Sequence, residues 1–136
     1  FKDQSTGVLI CFEILFPGVA SNFVTGGATY LTTLTNDAWF GTTSAPEQHF
    51  AIAVFRAVEN RRALIRAANT GISGFISPTG AIVKTTSLFT GTAILAELPA
   101  MTGLTSYSRF RDSFTWACGL AFLFVFVHMF YFIISF

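Results

Sequence analysis

The chain has 136 residues, of which 52% are hydrophobic, 17 are phenylalanine and only 11% are charged. This composition excludes a disordered chain, a coiled coil and a solvated repeat array, because each of these needs more charged side chains. Eight Lys and Arg side chains against seven Asp and Glu leave a net charge of +1. We therefore expect no nucleic-acid partner, which would require a clustered positive field.

The N-terminal part of the chain has the pattern of a strand, a helix and a second strand. Residues 8–10 form a short β-branched, apolar run, typical of a strand buried on both faces, and Cys11 follows directly. Pro and Gly pairs bracket a predicted helix over residues 19–24, and residues 30–35 predict the second strand. Two strands joined through a helix indicate a parallel pair, whose carboxyl ends are where open α/β sheets place their sites.

A second helix is predicted after an aromatic loop over residues 36–41. Ser44 is a suitable N-cap, Pro46 suits the first turn, and the helix is expected to end near Arg61 or Arg62. Its predicted apolar face carries Phe50, Ala51, Val54 and Val58. Its predicted polar face carries Arg56, Glu59 and Asn60. We expect Glu59 to form a structural ion pair with Arg61 or Arg62.

The rest of the chain predicts strands, a connecting segment and a membrane helix. Strands are expected over residues 63–68, 72–77, 81–85 and 92–98. Residues 1–100 are thus expected to form part of an α/β domain, and residues 101–114 a linker.

Residues 115–136 are predicted to form one transmembrane helix. No charged residue follows Asp112, and from Trp116 onward the strongly polar side chains are His128 and Ser135. At a rise of about 1.5 Å per residue this segment spans about 30 Å, which matches the hydrocarbon core of a bilayer. The alternative is a buried core helix, which is rarely apolar on every face at this length.

The two ends of the chain indicate a fragment, because it begins on Phe1 without Met and ends with no charged residue after the apolar segment. Its two cysteines are not expected to pair, since Cys118 falls in the predicted membrane helix and Cys11 follows the first strand. Cys11 is the strongest candidate for a catalytic group, because a thiol at the end of a buried strand is where α/β folds expose nucleophiles. The alternative for Cys11 is an inert core thiol.

Four short strings of residues occur together in the order and spacing of a known family. They are Cys11-Phe12-Glu13, Asn36-Asp37-Ala38-Trp39-Phe40-Gly41, Pro46-x-Gln48-His49 and Arg56-Ala57-x-Glu59-Asn60-Arg61. Together they resemble the carbon–nitrogen hydrolase (nitrilase) superfamily. The loop over residues 36–41, the run over residues 66–72 and the terminal apolar segment are similar to its membrane-bound apolipoprotein N-acyltransferase family.

The resemblance implies the C-terminal part of an αββα sandwich in which a Glu is the general base, a Lys stabilises the oxyanion and Cys11 is the nucleophile. In the family the Glu and Lys precede the cysteine, and Lys2 is too close to Cys11 to be that Lys. We therefore expect the Glu and Lys upstream of this chain, and we expect the chain alone to be inactive.

The resemblance also implies supporting residues around Cys11. Glu13 is expected to hold the substrate or the catalytic Lys, with a helix-start carboxylate as the alternative. Phe12 stands where the family often has Tyr, so any hydrogen bond made by the tyrosine hydroxyl is absent here. The Phe12 backbone N–H can still assist at the oxyanion. Trp39 and Phe40 are expected to line an acyl-chain pocket or to face lipid, the alternative being a loop plugged into the core. Asn69 is assigned a supporting role with them.

The implied function is acyl transfer from a phospholipid, through a cysteine thioester, to the N-terminal amine of a diacylglyceryl-cysteine lipoprotein. We expect a monomer without a cofactor, and no metal site, since His49 has no second His or Cys at ligand spacing. The expected location is the bacterial inner membrane, with the catalytic domain on the periplasmic side. Arg109 and Arg111 favour the cytoplasmic side by the positive-inside rule, but large domains cross membranes largely regardless of charge.

Two other functions are compatible with the same residues. A nitrilase-type amidohydrolase would use the same thiol with water as the acceptor, although a membrane helix is unusual for that class. A catalytically dead docking module would keep the membrane attachment and lack the upstream Glu and Lys.

Overall fold

A mixed five-stranded sheet with helices on one face forms most of the structure. The computed structural model describes residues 4–134 of the chain, without the side chain of Phe132. The strands are β1 (Thr6–Ile10), β2 (Tyr30–Asn36), β3 (Ala63–Asn69), β4 (Gly74–Ile76) and β5 (Ile82–Thr85), in that spatial order. The helices are α1 (Pro17–Thr25), α2 (Ala45–Asn60), α3 (Ser106–Phe110) and α4 (Ser113–Ile134).

The first three strands are parallel, which confirms the predicted strand–helix–strand unit. Ile10 of β1 lies opposite Leu34 of β2, and Asn36 of β2 lies opposite Asn69 of β3. The helices α1 and α2 make the two crossovers between these strands. Because parallel strands end at the same edge of a sheet, the residues that follow β1, β2 and β3 lie near one another.

One face of the sheet is packed and the other is largely open. Leu9, Leu31 and Leu64 are fully buried against α1 and α2, where α2 contributes Ala53 and Ala57. On the opposite face, Ile10 and Leu34 remain 52% and 45% exposed. Parallel sheets are normally covered on both faces, so this open apolar face is suited to a second layer of structure.

The helix α2 buries part of its predicted apolar face together with part of its predicted polar face. Phe50 is buried and Val54 packs against the core, but Arg56 and Asn60 are also buried, whereas Ala51 and Val58 are exposed. Some of these buried polar atoms have partners, since the Asn60 Nδ2 donates to the Arg56 carbonyl at 3.0 Å, whereas the Arg56 Nε and Nη1 have none among the described residues. The Ser108 hydroxyl in turn donates to the Asn60 Oδ1 at 3.1 Å.

The ion pair predicted for Glu59 also has a different partner. Glu59 accepts from the Arg56 Nη2 at 3.1 Å, one turn earlier on α2, and burial raises the pKa of this carboxyl while Arg56 opposes the shift. The Arg62 guanidinium instead donates to the Ala28 carbonyl at 2.7 Å and the Gly103 carbonyl at 2.8 Å. Arg62 thus connects Gly103, which follows β5, to Ala28, which precedes β2.

The strand predicted over residues 92–98 is not formed. Residues 91–102 have no regular secondary structure, and Leu95 is 88% exposed. Single side-chain bonds connect this segment to the sheet, from the Tyr30 hydroxyl to the Leu98 carbonyl and from the Lys84 ammonium to the Leu95 carbonyl. The apolar alternation is present, but a strand also requires a backbone ladder with a neighbouring strand.

The predicted linker over residues 101–114 contains the short helix α3, which is docked on α2. The Thr105 hydroxyl caps α3 by accepting from the Ser108 N–H at 2.9 Å, and it donates to the Glu59 carbonyl at 2.6 Å. This segment therefore follows the surface of the α/β layer before α4 begins at Ser113.

Within the described residues, α4 is the one helix long and apolar enough to cross a membrane, with a qualifying stretch over Ser113–Tyr131. None of that stretch is buried by the other described residues. Residues 135 and 136 of the predicted membrane segment lie outside the described residues.

We expect α4 to insert into bilayers. A fusion of residues 101–136 to a soluble reporter should stay in the membrane pellet after carbonate extraction, because removing about 20 apolar residues from lipid would be strongly unfavourable. The reporter alone should be extracted under the same conditions. Release of the fusion into the supernatant would contradict the membrane assignment.

Candidate active site around Cys11

Cys11 lies at the point where β1 ends and a 3-10 turn, Cys11–Leu15, begins. Its φ angle is 51°, in the left-handed region that is costly for a residue with a Cβ. Its side chain is half-buried and is not part of a disulfide. Backbone strain of this kind persists only where the surrounding contacts hold it, and it is concentrated at functional sites.

Glu13 closes the turn that carries Cys11. Its Oε2 accepts a hydrogen bond from the Ile10 N–H at 2.7 Å, and the side chain is exposed. This bond corresponds to the helix-start role that we considered as the alternative for Glu13. It also fixes the peptide just before Cys11.

Three aromatic rings form a cluster beside Cys11, made of Phe12, Phe40 and His49. Phe12 stacks on His49 with centroids 5.8 Å apart and an interplanar angle of 30°. Phe40 approaches both rings edge-on, at 6.2 Å from Phe12 and 5.8 Å from His49. Trp39 does not join the cluster, because 76% of it is exposed, so it does not plug the loop into the core.

Beneath the rings, a buried polar cluster joins the loop after β2, the start of α2 and the middle of β3. The Asp37 Oδ1 lies 3.1 Å from the His49 Nδ1, and the Arg66 Nη2 donates to the Asp37 Oδ2 at 2.7 Å. The Arg66 Nη2 also lies 3.1 Å from the His49 Nδ1. All three residues are at most 3% exposed.

The charges in this cluster favour a neutral imidazole. Burial and the Arg66 charge lower the pKa of His49 below 6.5, and they outweigh Asp37 and the Cys11 backbone, which raise it. Burial lowers the pKa of Arg66, while Asp37 and Cys11 oppose the shift. The His49 Nε2 is buried and has no hydrogen-bond partner among residues 4–134.

A glycine permits the close approach of the chain to Asp37. A Cβ added to Gly71 would lie 2.8 Å from the Asp37 Cβ, closer than two carbon atoms can approach without movement. Gly71 is therefore required by packing and not by its own backbone angles. It follows the Asn69–Thr70 turn at the end of β3.

Asn69 lies at the same edge of the sheet as Cys11 but contacts a different part of it. Its Nδ2 is 3.4 Å from the Asn36 Oδ1, and its carbonyl accepts from the Asp37 N–H at 3.2 Å. Asn69, Thr70 and other small polar residues border an open cavity of about 310 Å³. Asn69 thus supports the loop that carries Asp37.

No catalytic role is predicted from the sequence for Asp37, His49 or Arg66. Asp37 and His49 nevertheless stand in two of the four strings, and Arg66 begins the run over residues 66–72. His49 was considered only as a metal ligand, and the described residues contain no group of three His, Cys, Asp or Glu side chains suited to a metal. The overlooked signal was Arg66 itself. An arginine in the middle of an apolar strand must have a buried partner, and Asp37 is that partner.

The chain is similar to known proteins over most of its length. A family model described as carbon–nitrogen hydrolase matches residues 2–107. The apolipoprotein N-acyltransferase of Geobacter metallireducens is 47% identical over 112 residues, which are 82% of this chain and 22% of that protein. The chain thus spans about a fifth of the length of such relatives.

The solved structures that match share the fold of the α/β layer. Nit3 of Saccharomyces cerevisiae, a member of the nitrilase superfamily, is 25% identical with a TM-score of 0.54, over 61% of this chain and 33% of that chain. A variant of the amidase from Nesterenkonia sp. AN1, which carries an acetamide moiety on its active-site cysteine, is 23% identical with a TM-score of 0.51, over 62% and 34% of the two chains. The α/β layer with its Cys11 edge thus has the nitrilase-superfamily fold, and the chain belongs to the carbon–nitrogen hydrolase family.

Proposed function

We propose that this chain is the C-terminal part of a membrane-bound N-acyltransferase whose nucleophile is Cys11. The observation that carries the proposal is the position of Cys11, which has a left-handed backbone conformation at the end of β1, where a 3-10 turn begins. Cys11 lies within residues 2–107, which match the carbon–nitrogen hydrolase family model, and the chain is 47% identical over 112 residues to an apolipoprotein N-acyltransferase. By analogy with those relatives, the acyl acceptor is the N-terminal amine of a diacylglyceryl-cysteine lipoprotein and the donor is a phospholipid.

The reaction proceeds in two acyl transfers. The Cys11 thiol passes its proton to the general base, and the thiolate attacks the ester carbonyl of the phospholipid to form a C–S bond. The C–O bond then breaks, and the departing lysophospholipid alkoxide takes the proton from the base. In the second step the lipoprotein amine attacks the thioester, the amide forms, and the Cys11 thiol is regenerated with the proton that the amine loses.

The residues around Cys11 support these steps in different ways. The Phe12 N–H is placed next to the nucleophile, where it can donate to the oxyanion of each tetrahedral intermediate. Glu13 holds the turn and presents a carboxylate toward the acceptor or the oxyanion Lys. We assign the Glu base and that Lys to the part of the enzyme upstream of this chain, so residues 1–100 supply one part of the catalytic domain.

The aromatic loop and α4 direct the site toward lipid. We assign the contacts with the acyl chain to Trp39 and Phe40, since Trp39 is 76% exposed on the loop beside Phe12. Tryptophan is favoured at the boundary between lipid and water. With α4 in the bilayer, the site operates at the surface of the bacterial inner membrane, on the periplasmic side and as a monomer, with Asn69 supporting the loop.

A second candidate function is amide hydrolysis. It is favoured by the matching structure of an amidase that carries a covalent adduct on its active-site cysteine. The same thioester would then be released by water. The helix α4 favours the acyltransferase, because a membrane helix serves an enzyme whose donor lies in the bilayer.

The thioester provides the direct test. Full-length enzyme given phospholipid with a radiolabelled acyl chain, and no amine acceptor, should become labelled on Cys11. The label should be released by neutral hydroxylamine, which cleaves thioesters. It should then pass to a diacylglyceryl peptide with a free amine faster than to water.

The two cysteines allow a matched control. The Cys118→Ala variant should keep the label and Cys11→Ala should lose it, because Cys118 is exposed on α4 in the membrane segment. Label that persists in Cys11→Ala would refute the covalent mechanism. Release to water at the same rate as to the peptide would favour the hydrolase.

A further inference from the structure

We propose that His49 is a positioning residue for Cys11. Its ring, fixed by Asp37 and Arg66, supports Phe12 and so helps to hold Cys11 in its left-handed backbone conformation. This inference rests on the proposed role of Cys11. It assigns a task to the buried polar cluster, which the acyl-transfer steps themselves do not use.

The turn needs support from outside its own residues. The left-handed backbone conformation is unfavourable for a residue that has a side chain, because its Cβ comes too close to the backbone. The bond from the Ile10 N–H to Glu13 restrains one side of Cys11, but Glu13 is exposed and water competes for its carboxylate. The other side of Cys11 is the Phe12 peptide, whose N–H is the proposed oxyanion donor.

The orientation of Phe12 depends on its neighbours and not on burial. The Phe12 side chain is 48% exposed, so a solvated ring would be free to rotate. It is held because it stacks on His49 at 5.8 Å and meets the edge of Phe40 at 6.2 Å. Of these two supports, His49 is the more firmly anchored, because it is 3% exposed.

His49 is held at one ring nitrogen by two buried residues. Its Nδ1 lies 3.1 Å from both the Asp37 Oδ1 and the Arg66 Nη2. Arg66 is itself fixed, since its Nε donates to the Ile72 carbonyl at 3.1 Å and its Nη2 to the Asp37 Oδ2 at 2.7 Å. The imidazole plane is therefore defined by groups on β3 and on the loop after β2, the same edge of the sheet at which Cys11 lies.

The surroundings of His49 suit a support and not a base. Its Nδ1 is occupied within the polar cluster, and burial together with the Arg66 charge lowers its pKa, so the imidazole resists protonation. A neutral ring also stacks on Phe12 without a charge to desolvate.

Two substitutions of His49 distinguish the role of its ring from the role of its polar bonds. In the full-length enzyme, His49→Gln keeps an amide that can bond to Asp37 and Arg66 but removes the ring, whereas His49→Phe keeps the ring and removes the bonds. We expect His49→Gln to slow thioester formation by about 10–100-fold with little change in the KM for phospholipid, because a misplacement of about 1 Å has an effect of that order. His49→Phe should slow acylation less than His49→Gln does, because the ring remains beside Phe12 although Asp37 and Arg66 no longer anchor it.

A merely structural role of His49 predicts the opposite order. If His49 only satisfies the buried Asp37 and Arg66, His49→Phe should lower the melting temperature and the acylation rate, while His49→Gln should be close to wild type. That order of the two variants would overturn the proposal. The melting temperature of each variant is measured alongside its acylation rate, so a loss of folded protein is recognised.

A double-mutant cycle provides a second measure in case His49→Gln folds poorly. Phe12→Leu should slow acylation as much as His49→Gln, and the double variant should be no slower, because both act through one contact. Phe55→Leu removes an aromatic ring that is 62% exposed on α2, and it should leave the rate unchanged. Strictly multiplicative losses from Phe12→Leu and His49→Gln would contradict the proposal.

Alkylation of Cys11 by iodoacetamide distinguishes failure of this inference from failure of the proposed function. The midpoint of its pH profile should be the same in wild type and His49→Gln, since no proton moves to His49. A shifted midpoint would instead make His49 a base and overturn the positioning role. If wild-type enzyme forms no thioester, the proposed function fails; if wild type and His49→Gln form it equally fast, only the inference on His49 fails.

Discussion

Replacing Cys11 by serine in the full-length enzyme is expected to lower kcat by about 10³-fold or more, as for other nucleophiles that act within a catalytic unit. The reason is the acidity of the attacking group. An ordinary thiol has a pKa of about 8.5, within reach of a carboxylate base assisted by a cation, whereas an alcohol is far harder to deprotonate. The measurement is steady-state transfer of a labelled acyl chain to a diacylglyceryl peptide.

The control for this substitution is Cys118→Ser, which makes the same chemical change on α4. It should leave kcat close to wild type, because Cys118 is exposed on α4 and has no part in the proposed site. The KM for phospholipid should change little in Cys11→Ser, since the serine is nearly isosteric with cysteine. Turnover of Cys11→Ser within about tenfold of wild type would contradict nucleophilic catalysis by Cys11.

Removing the Asp37 carboxylate is expected to cause the largest loss of stability among the described residues of the site. Asp37→Ala leaves the Arg66 guanidinium charged and without its partner at a position where the two side chains are 0% and 1% exposed. Breaking a buried ion pair on one side costs about 3–5 kcal/mol, which lowers the melting temperature of a domain of this size by about 10 °C or more. Thermal unfolding of the full-length enzyme measures the effect.

The matched control is Glu97→Ala, which removes one carboxylate from an exposed segment. Its effect should stay within about 0.5 kcal/mol, as is usual for surface substitutions. Exchanging the pair together, as in Asp37→Leu with Arg66→Met, should recover part of the loss, because no unpaired charge then remains buried. An Asp37→Ala variant as stable as Glu97→Ala would show that the pair carries no stabilisation.

The local sequence pattern was sufficient to predict those elements whose conformation depends on neighbouring residues. The βαβ unit of β1, α1 and β2 and the helix α2 follow from short apolar runs, turn residues and helical spacing, and the structure forms all of them. The position of Cys11 at the end of β1 follows from the same pattern. The length of α4 follows from composition alone, because every side of such a helix must be apolar to lie in lipid.

The tertiary structure decided what depends on partners distant in the sequence. Asn60 lies inward because the Arg56 carbonyl and the Ser108 hydroxyl satisfy its amide. Arg56 lies inward with one bond, from its Nη2 to Glu59, and no helical period reveals these contacts. Residues 92–98 have the alternation of a strand but no ladder, since β-structure is defined by its neighbour.

The support beneath Cys11 is likewise a product of the fold. Asp37, His49 and Arg66 are separated by 12 and 17 residues, and they meet only because β2, α2 and β3 converge at one edge of the sheet. The sequence alone determined the elements, the thiol at the end of a strand and the apolar terminal helix, because these depend on neighbouring residues. Only the tertiary structure decided which charges are buried together beside that thiol, because burial and ion pairing depend on contacts across the fold.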